Sequence, residues 1–268
     1  MKYLLLVAGL LTSLYGNSQE LEKSLLWKIS GNGLQEPSYI FGTIHATCDA
    51  SLDENTIKAL QETKQLYLEL DMNEKAMQMQ MLKYMKMNND VKLSTLLSAE
   101  DFKIVDEFLK KHMNMSAKMF DTFKPFVVSS MLLPKMLDCK FQSVESELIK
   151  VTEEQGEEIY GLEDIKDQMK VFDAIPYQVQ ADELLKTAKS DLKQDKEEFI
   201  KLLEIYKDKD IEGMLKAMDE SENKISSENQ DLLLNNRNKN WIPIISETAS
   251  KIPTFFGVGA GHLAGEEG

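Results

Sequence analysis

Two histidines stand in matching local sequences near opposite ends of the chain. His45 closes a Gly-Thr-Ile-His segment and His262 closes a Gly-Ala-Gly-His segment, each after an apolar run rich in aromatic residues. Such runs are typical of β-strands, so each imidazole is expected where a strand leaves its sheet. Parallel strands distant in sequence can be neighbours in space, and ligands bind outside their carboxyl ends. The pattern therefore predicts one site that contains both histidines.

A carboxylate is expected near the same place. Residues 65–71 form an apolar strand that runs into Glu69 and Asp71, and a carboxylate at such a position must be solvated, paired or metal-bound. Two imidazoles and Glu69 are suitable ligands for a catalytic divalent metal ion that keeps one position open for water. Two alternatives stay open. His45 acts as a general base without a metal, or both histidines are simply hydrogen-bonded residues at strand ends.

Five segments, in order along the chain, resemble motifs of the TraB/GumN family, which includes the Tiki-type proteins that remove an N-terminal segment from Wnt ligands. The first and last segments contain the two Gly-x-x-His elements. The five are residues 39–45, residues 68–71, residues 161–163 with Gln168, residues 237–238 with Trp241, and residues 257–265. Their order and spacing are similar to those of the family over most of the chain.

The resemblance implies an EreA/ChaN-like α/β fold, with a central mixed β-sheet and a large helical insertion over its carboxyl edge. It also implies a metal-dependent hydrolase that cleaves peptide or protein substrates, with zinc, manganese or cobalt as the divalent metal ion. Carried over to this sequence, the metal ligands are His45, His262 and Glu69, the catalytic residues are Glu69, Glu163 and Arg237, and the substrate-binding residues are Gln168 and Asn238.

Arg237 has two interpretations. It binds a substrate carboxylate or phosphate through paired hydrogen bonds, or it forms an ion pair with Glu69, Asp71 or Glu163. In the catalytic interpretation Glu69 or Glu163 shuttles a proton, and the amides of the glycines before each histidine stabilise an oxyanion. Two rival functions use the same cleft: a non-catalytic protein that binds or sequesters a peptide signal, and a metal-free, esterase-like hydrolase with His45 as its base.

The N-terminus is typical of a secretory signal peptide. Lys2 precedes an apolar run over residues 3–14, which is too short to span a bilayer, and a small, polar segment follows to Gln19. We therefore expect residues 1–19 to be removed on export to a periplasm or the exterior. Residues 20–268 then form one domain with no stable membrane span. Since the family usually continues with another helix and strand, this domain is expected to be truncated at its C-terminus.

The sequence is strongly acidic, with 45 acidic and 31 basic residues and a formal net charge of −14. Removal of residues 1–19 takes away one Lys and no acid, so the mature chain has 30 − 45 = −15. Such a surface repels phosphate backbones, and nucleic-acid binding is excluded as a function. The charge can attract basic peptides or divalent cations, or serve solubility alone. An oligomer is compatible with these features.

The chain has two cysteines, Cys48 and Cys139. In an exported chain an even count predicts a disulfide. The closed loop of about 90 residues contributes up to about 4 kcal/mol through loop entropy. Because Cys48 lies three residues after His45, a bridge there holds the site loop in place. The alternative, a thiol nucleophile paired with His45, is disfavoured in an oxidising compartment.

The remaining patterns alternate between strands and helices, which indicates an α/β fold. Residues 25–30 and 38–44 flank a connection with Gly and Pro and predict a β-hairpin, and residues 54–62 predict a helix. Methionines crowd residues 77–87, which indicates either an adaptable groove for apolar side chains or an ordinary helical core. Residues 177–221 predict a long, charged helical region.

Overall fold

The structure is a computed structural model that describes residues 22–72 and 75–268, with the backbone alone at residues 75–79. The predicted signal peptide, residues 1–19, lies outside the described residues, as do the side chains of Met77 and Met79. None of the helices in this part of the chain combines the length and apolar character needed to cross a lipid bilayer.

Five strands among the described residues form one mixed sheet. They are β1 (Leu26–Ile29), β2 (Ser38–Thr43), β3 (Gln65–Leu68), β4 (Glu158–Gly161) and β5 (Phe255–Gly259). β1 and β2 are antiparallel and form the predicted hairpin. The other pairings, β2 with β5, β5 with β3 and β3 with β4, are parallel. The order across the sheet is therefore β1-β2-β5-β3-β4.

The four parallel strands end at the same edge of the sheet. Their last residues are Thr43 in β2, Gly259 in β5, Leu68 in β3 and Gly161 in β4. Because these strands point the same way, the residues that follow them meet at this carboxyl edge. This is the edge at which the sequence places its candidate site.

Helices connect the strands, mostly between β3 and β4 and between β4 and β5. Ser98 accepts a hydrogen bond from the Asp101 backbone N–H and starts one helix, and Gly156, at φ 73°, ends another. The helices are α1 (Glu54–Gln61), α2 (Lys75–Tyr84), α3 (Leu93–Leu96), α4 (Ala99–Met113), α5 (Pro125–Ser130), α6 (Val144–Gln155), α7 (Ile165–Ala174), α8 (Tyr177–Ser190), α9 (Lys193–Lys207), α10 (Ile211–Asp219), α11 (Lys224–Ser227) and α12 (Asn236–Lys251).

Both faces of the sheet are buried. On one face Phe255 packs in a core cluster with Leu148 of α6. On the other, Phe256 packs in a cluster with Trp241 of α12. A parallel sheet needs this cover on both faces because its strands are apolar throughout. The arrangement confirms the predicted α/β class with a mixed sheet.

The helical insertion has its own core and a buried cation. Leu109, Val128 and Leu184 are fully buried where α4, α5 and α8 meet. Beside them the Lys124 side chain is 1% exposed, and its Nζ donates to the Tyr84 and Lys86 carbonyls and pairs with a carboxylate of α7. A buried ammonium needs such partners because its desolvation is costly. No local pattern in the sequence points to it.

The described methionines of the Met-rich segment pack inward. Met81 and Met85 pack against a cluster that contains Met169 and Phe172 of α7, and Met87 is buried. These side chains behave as part of a helical core, which is the second of the two interpretations of their crowding.

The charged region over residues 177–221 is helical, as predicted, but it is divided into α8, α9 and α10. Asp191 and Leu192 have φ values of 54° and 68° between the first two helices. These left-handed conformations end α8 and reverse the chain. The divided region can therefore pack α8 against both α4 and α9.

The two cysteines form a disulfide, as predicted. Cys48 follows β2 and Cys139 precedes α6, so the bridge joins two segments that are 91 residues apart. Free cysteines are absent from the described residues.

Candidate active site

The two Gly-x-x-His elements lie side by side, as their strands predict. β2 and β5 are neighbours, and Thr43 is paired with Gly259. A Cβ on Gly42 would lie 3.0 Å from Ala260, so only glycine allows the two elements to pack this closely. His45 lies two residues after Thr43, and His262 lies three residues after Gly259. The prediction that the fold brings the two elements together is confirmed.

Glu69 follows β3 and reaches the middle of this edge. Its Oε1 accepts a hydrogen bond from the Gly259 N–H at 2.8 Å, and its Oε2 lies 2.5 Å from Arg237 Nη2. The side-chain amide of Gln168 also donates to Oε2, at 3.4 Å. The Glu69 carboxylate therefore links β3, β5, α7 and α12.

Arg237 lies at the centre of the site and bonds to the residues around it. Its Nε and Nη2 donate to Glu163 at distances from 2.6 to 3.3 Å, and Nη2 also donates to Glu69. Its Nη1 donates to the Leu233 carbonyl at 3.1 Å and to His262 Nε2 at 3.0 Å. The five N–H groups of a guanidinium are thereby all used. The ion-pair interpretation of Arg237 describes this arrangement, with Glu69 and Glu163 as the partners.

The helix that carries Arg237 begins irregularly. A single π-helical segment, Asp231–Asn235, precedes α12 directly, and Arg237 lies in the first turn after it. π-Helical segments are rare and occur mostly at functional sites, because the extra residue per turn redirects the side chains that follow. Here the segment also places the Leu233 carbonyl under the guanidinium.

His262 is buried and held in one tautomer. The Nδ2 of Asn238 donates to the carbonyls of His262 and Glu267, so its Oδ1 faces the imidazole and accepts from His262 Nδ1 at 2.7 Å. The Nε2 lone pair is therefore free to accept from Arg237. Burial, with the nearby guanidinium, lowers the pKa of His262 to about 4. The imidazole is neutral near pH 7.

The indole of Trp241 packs against both Arg237 and His262. The guanidinium carbon of Arg237 lies 4.4 Å from the centre of the indole, and the His262 ring lies 4.5 Å from it. Its Nε1 donates to Glu163 at 3.3 Å. The stacked indole stabilises the cation and limits the directions in which the guanidinium can move.

The two carboxylates differ in acidity. Burial disfavours the charged form of Glu69, but Arg237, the two histidines and the Gly259 N–H together outweigh burial and lower the pKa of Glu69 to about 2. Burial raises the pKa of Glu163, and its bonds to Arg237 offset this only in part. Glu69 is thus firmly ionised, while Glu163 is the carboxylate that more readily takes up a proton.

His45 stands at the open side of the edge. Its side chain is 66% exposed, and its Nδ1 lies 2.7 Å from Oε1 of Glu145, which is only 16% exposed. Glu145 lies in the first turn of α6, where Ser143 Oγ donates to its other oxygen. The carboxylate raises the pKa of His45 above its ordinary value. The Nε2 of His45 is left to face solvent.

Sequence reasoning missed Glu145. Its contact with His45 joins residues 100 positions apart, and no motif connects them. The sequence offers one signal, an acid in the first turn of a helix whose start is marked by Ser143, and this pattern is typical of many solvated helix ends.

The donor atoms, as placed, do not fit the predicted metal ion. Two of the three proposed ligands, Glu69 and His262, direct their lone pairs at the N–H groups of Arg237, and the other oxygen of Glu69 accepts from Gly259. The third, His45, contacts Glu145 through Nδ1 and keeps Nε2 open, so it alone of the three has a donor atom that is not directed at another group of the protein. No set of three or more His, Cys, Asp or Glu side chains in the described ranges is placed to hold a metal ion. Metal binding stays a prediction that requires the guanidinium to move.

The contacts of the site also bear on the predicted substrate-binding residues and on the predicted oxyanion site. Gln168 lies at the site through its bond to Glu69, but the Asn238 amide is fully engaged with His262 and Glu267. Two of the glycine amides proposed to stabilise an oxyanion are bonded within the protein. The Gly42 N–H donates to the Leu25 carbonyl, and the Gly259 N–H donates to Glu69. These two amides are therefore not available to a substrate.

The fold and the site together define an α/β protein with a charged cluster at the carboxyl edge of its parallel strands. The sequence model of the TraB/PrgY/gumN family matches residues 25–268. The chain belongs to the TraB/PrgY/gumN family, as the order of its motifs predicted. Searches among curated proteins and among solved structures give no match.

Proposed function

We propose that this chain is an exported hydrolase that cleaves peptide or protein substrates at the carboxyl edge of its sheet. The observation that carries the proposal is the convergence of Glu69, Glu163, Arg237 and His262 beside an exposed His45. Burial of three charged side chains costs stability that apolar packing of the same volume avoids. Clusters of this kind, with strongly shifted pKa values, are concentrated at functional sites.

The proposed proton chemistry follows from the separated acidities. Environments that push apart the pKa values of two nearby carboxylates assign them different roles. Glu69 stays ionised and holds Arg237 and the end of β5. Glu163, whose pKa is raised by burial, exchanges a proton with the reacting group. His45 activates the attacking water through its accessible Nε2 in the neutral form, which becomes the major form as the pH rises through the raised pKa of about 9.

Arg237 acts in this scheme without direct contact to the substrate. All its N–H groups are engaged within the protein. Its fixed positive charge in a largely buried cluster stabilises negative charge that develops nearby in the transition state. We therefore assign it the role of an electrostatic and positioning residue.

The proposal assigns no step to a metal ion, because the donor atoms are directed at Arg237. Metal dependence, which the family resemblance implies, is decided by the same assay through removal of metal with a chelator and addition of zinc, manganese or cobalt. Export is supported by the disulfide, because such bridges form and persist in oxidising compartments.

The test is cleavage of a defined peptide library by the purified, oxidised protein in ¹⁸O-labelled water, read by mass spectrometry. New C-termini that carry ¹⁸O show hydrolysis. We expect His45→Ala to lower turnover by about 100-fold or more, the scale of general acid–base assistance. His112→Ala is the matched control. His112 lies at the end of α4, where it is bonded to Asp191, and it has no role in the proposed chemistry.

His45→Ala is preferred to His262→Ala because His262 is buried, and its loss changes stability as well as activity. If all peptides stay intact with and without added metal, the hydrolase proposal is wrong. Peptide binding without cleavage in that experiment supports the signal-sequestering alternative.

A further inference from the structure

We propose that Glu145 is the positioning residue for His45, and that a clamp made by the disulfide and Gln142 keeps the two in contact. The inference rests on the proposed function, since it concerns the histidine that activates water. Glu145 touches no substrate in this scheme. It acts through the orientation of the His45 ring.

The contact itself has the geometry of an orienting hydrogen bond. His45 Nδ1 lies 2.7 Å from Glu145 Oε1, and Ser143 Oγ donates to Oε2 at 2.7 Å, which fixes the carboxylate. Glu145 is 16% exposed, whereas His45 is 66% exposed. A largely buried carboxylate thus holds an accessible ring by one nitrogen and presents the other nitrogen to solvent. A carboxylate in this position selects the tautomer and stabilises the imidazolium when it forms.

The two residues need a clamp because they lie on different elements. Glu145 is on α6, whose neighbouring residues Val144 and Leu148 are buried in the core beside the sheet. His45 is on the loop that leaves β2, outside any helix or strand. The helix is therefore held by the core, while the loop needs contacts of its own to stay beside the helix.

Those contacts surround His45 on both sides in sequence. Before it, the Ile44 carbonyl accepts from the Val144 N–H at 3.3 Å. After it, Thr47 and Gln142 exchange backbone hydrogen bonds at 2.9 and 3.0 Å, and the Cys48–Cys139 disulfide follows. The loop is thus fastened to the start of α6 over its whole length.

The Gln142 side chain completes the clamp. Its Nε2 donates to the Cys48 carbonyl at 2.9 Å, and its Oε1 accepts from the Ala50 N–H at 3.2 Å. One amide therefore bonds the backbone at two points of the segment that follows His45, the Cys48 carbonyl and the Ala50 N–H. Loss of either the disulfide or this amide loosens the loop that carries His45. The helix α6 stays packed in the core, so Glu145 keeps its place while His45 moves.

The chemical role is a balanced proton transfer. His45 Nε2 takes a proton from water while the water oxygen bonds to the carbonyl carbon and the π electron pair of the carbonyl moves onto its oxygen. The carbonyl double bond then re-forms as the carbon–nitrogen bond breaks, and the proton passes from His45, by way of Glu163, to the leaving nitrogen. Glu145 keeps its own charge throughout and holds the Nδ1 proton.

The first experiment reads the contact directly and needs no activity. The chain contains three histidines, so ¹⁵N-histidine labelling gives three side-chain patterns that can be assigned by substitution. Oxidised wild-type protein should show a hydrogen-bonded Nδ1–H on His45. Glu145→Leu, and wild type after reduction of the disulfide, should lose this signal or broaden it. Glu147→Gln is the matched control on the same helix, since Glu147 bonds Lys150 on the helix surface.

The second experiment measures turnover. Glu145→Leu should lower kcat by at least about 10-fold with little change in KM, and Glu145→Asp should restore part of the loss. The double variant Cys48→Ser/Cys139→Ser should lower kcat in the wild-type background, but much less in the Glu145→Leu background, because both changes act on the same contact.

The outcomes separate the two proposals. An unchanged His45 pattern in Glu145→Leu overturns the positioning role, whatever the substrate. A changed pattern with unchanged kcat overturns it too, but leaves the hydrolase proposal intact. Additive losses from the cysteine and Glu145 variants show that the clamp does not act through His45. Absence of any hydrolysis removes the proposed function and its dependent role for Glu145, even if the contact is real.

Discussion

Replacement of Arg237 by methionine is predicted to destabilise the protein more than Glu69→Gln. Arg237, Glu69 and Glu163 are 10 to 12% exposed, and His262 is neutral near pH 7. The wild-type cluster then has one positive and two negative charges. Arg237→Met leaves two carboxylates facing each other without a cation, and the six hydrogen bonds of the guanidinium are lost.

The pKa of Glu69 gives the direction of this effect, because the surrounding charges and the Gly259 N–H hold it at about 2, well below its ordinary value. Removal of one partner from a buried ion pair typically costs about 3 to 5 kcal/mol. We therefore expect Arg237→Met to lower the free energy of unfolding by about 3 to 5 kcal/mol at pH 7.

Glu69→Gln should cost less, about 1.5 to 3 kcal/mol, on the scale of a hydrogen bond to a charged group. Arg237 keeps Glu163 as its counter-charge in this variant, and the glutamine carbonyl can still accept from the Gly259 N–H. The double variant Glu69→Gln/Arg237→Met should be more stable than Arg237→Met alone, because it leaves one buried carboxylate instead of two.

The difference between wild type and Arg237→Met should depend on pH. The pKa of Glu69 is depressed in the folded protein, so its stabilising contribution is complete above about pH 4.5 and is lost as the pH falls toward 2. Protonation of the unpaired carboxylates in Arg237→Met also relieves their repulsion. The stability difference should therefore shrink as the pH falls from about 5 to 3.

The assay is urea unfolding followed by circular dichroism at pH 7 and pH 3, with the disulfide intact. Lys239→Met is the matched control, because Lys239 is on the same helix and forms an exposed pair with Glu267. The reasoning is refuted if Arg237→Met costs no more than Lys239→Met, or if Glu69→Gln costs more than Arg237→Met.

Three further predictions concern other parts of the molecule. Lys124→Met should lower the free energy of unfolding by about 3 to 5 kcal/mol, because it strands a carboxylate and two carbonyls at a buried position; urea unfolding checks this. Asn238→Ala should cost about 2 to 3 kcal/mol, since the Nδ1–H of His262 loses its acceptor, and histidine NMR should show the altered tautomer. Reduction of Cys48–Cys139 should cost up to about 4 kcal/mol through loop entropy, measured as a lower melting temperature that the Cys48→Ser/Cys139→Ser variant does not show on reduction.

The sequence was most informative where chemistry follows a strand. His45, Glu69, Glu163 and His262 each come directly after an apolar run, and parallel strands carry the residues after such runs to one edge. The pairing of Arg237 with two carboxylates was one of the alternatives that charge alone allowed. The predictions for His45, Glu69 and His262 needed only local pattern and one rule of topology, whereas Glu163 and Arg237 were placed at the site by the family resemblance.

Other features depend on contacts that no local pattern encodes. Glu145 meets His45 across 100 residues, and Lys124 is buried only because two backbone carbonyls from another segment surround it. The engagement of Asn238 with His262, and the π-helical start of the last helix, likewise follow from packing. Residue types at these positions are equally typical of solvated surfaces, so a sequence leaves their roles undetermined.

The position of β5 makes the order of synthesis important for this protein. β5 lies between β2 and β3, which are not paired with each other, yet its residues are made about 190 positions after those of β3. Until then the β1–β2 hairpin and the β3–β4 pair are two separate pieces with unpaired inner edges, which can join other chains. Such non-local pairing slows folding. His45 and Glu69 belong to different pieces, so β5, the strand that joins the sheet, also assembles the site. A nascent chain that lacks β5 has neither the joined sheet nor the assembled site.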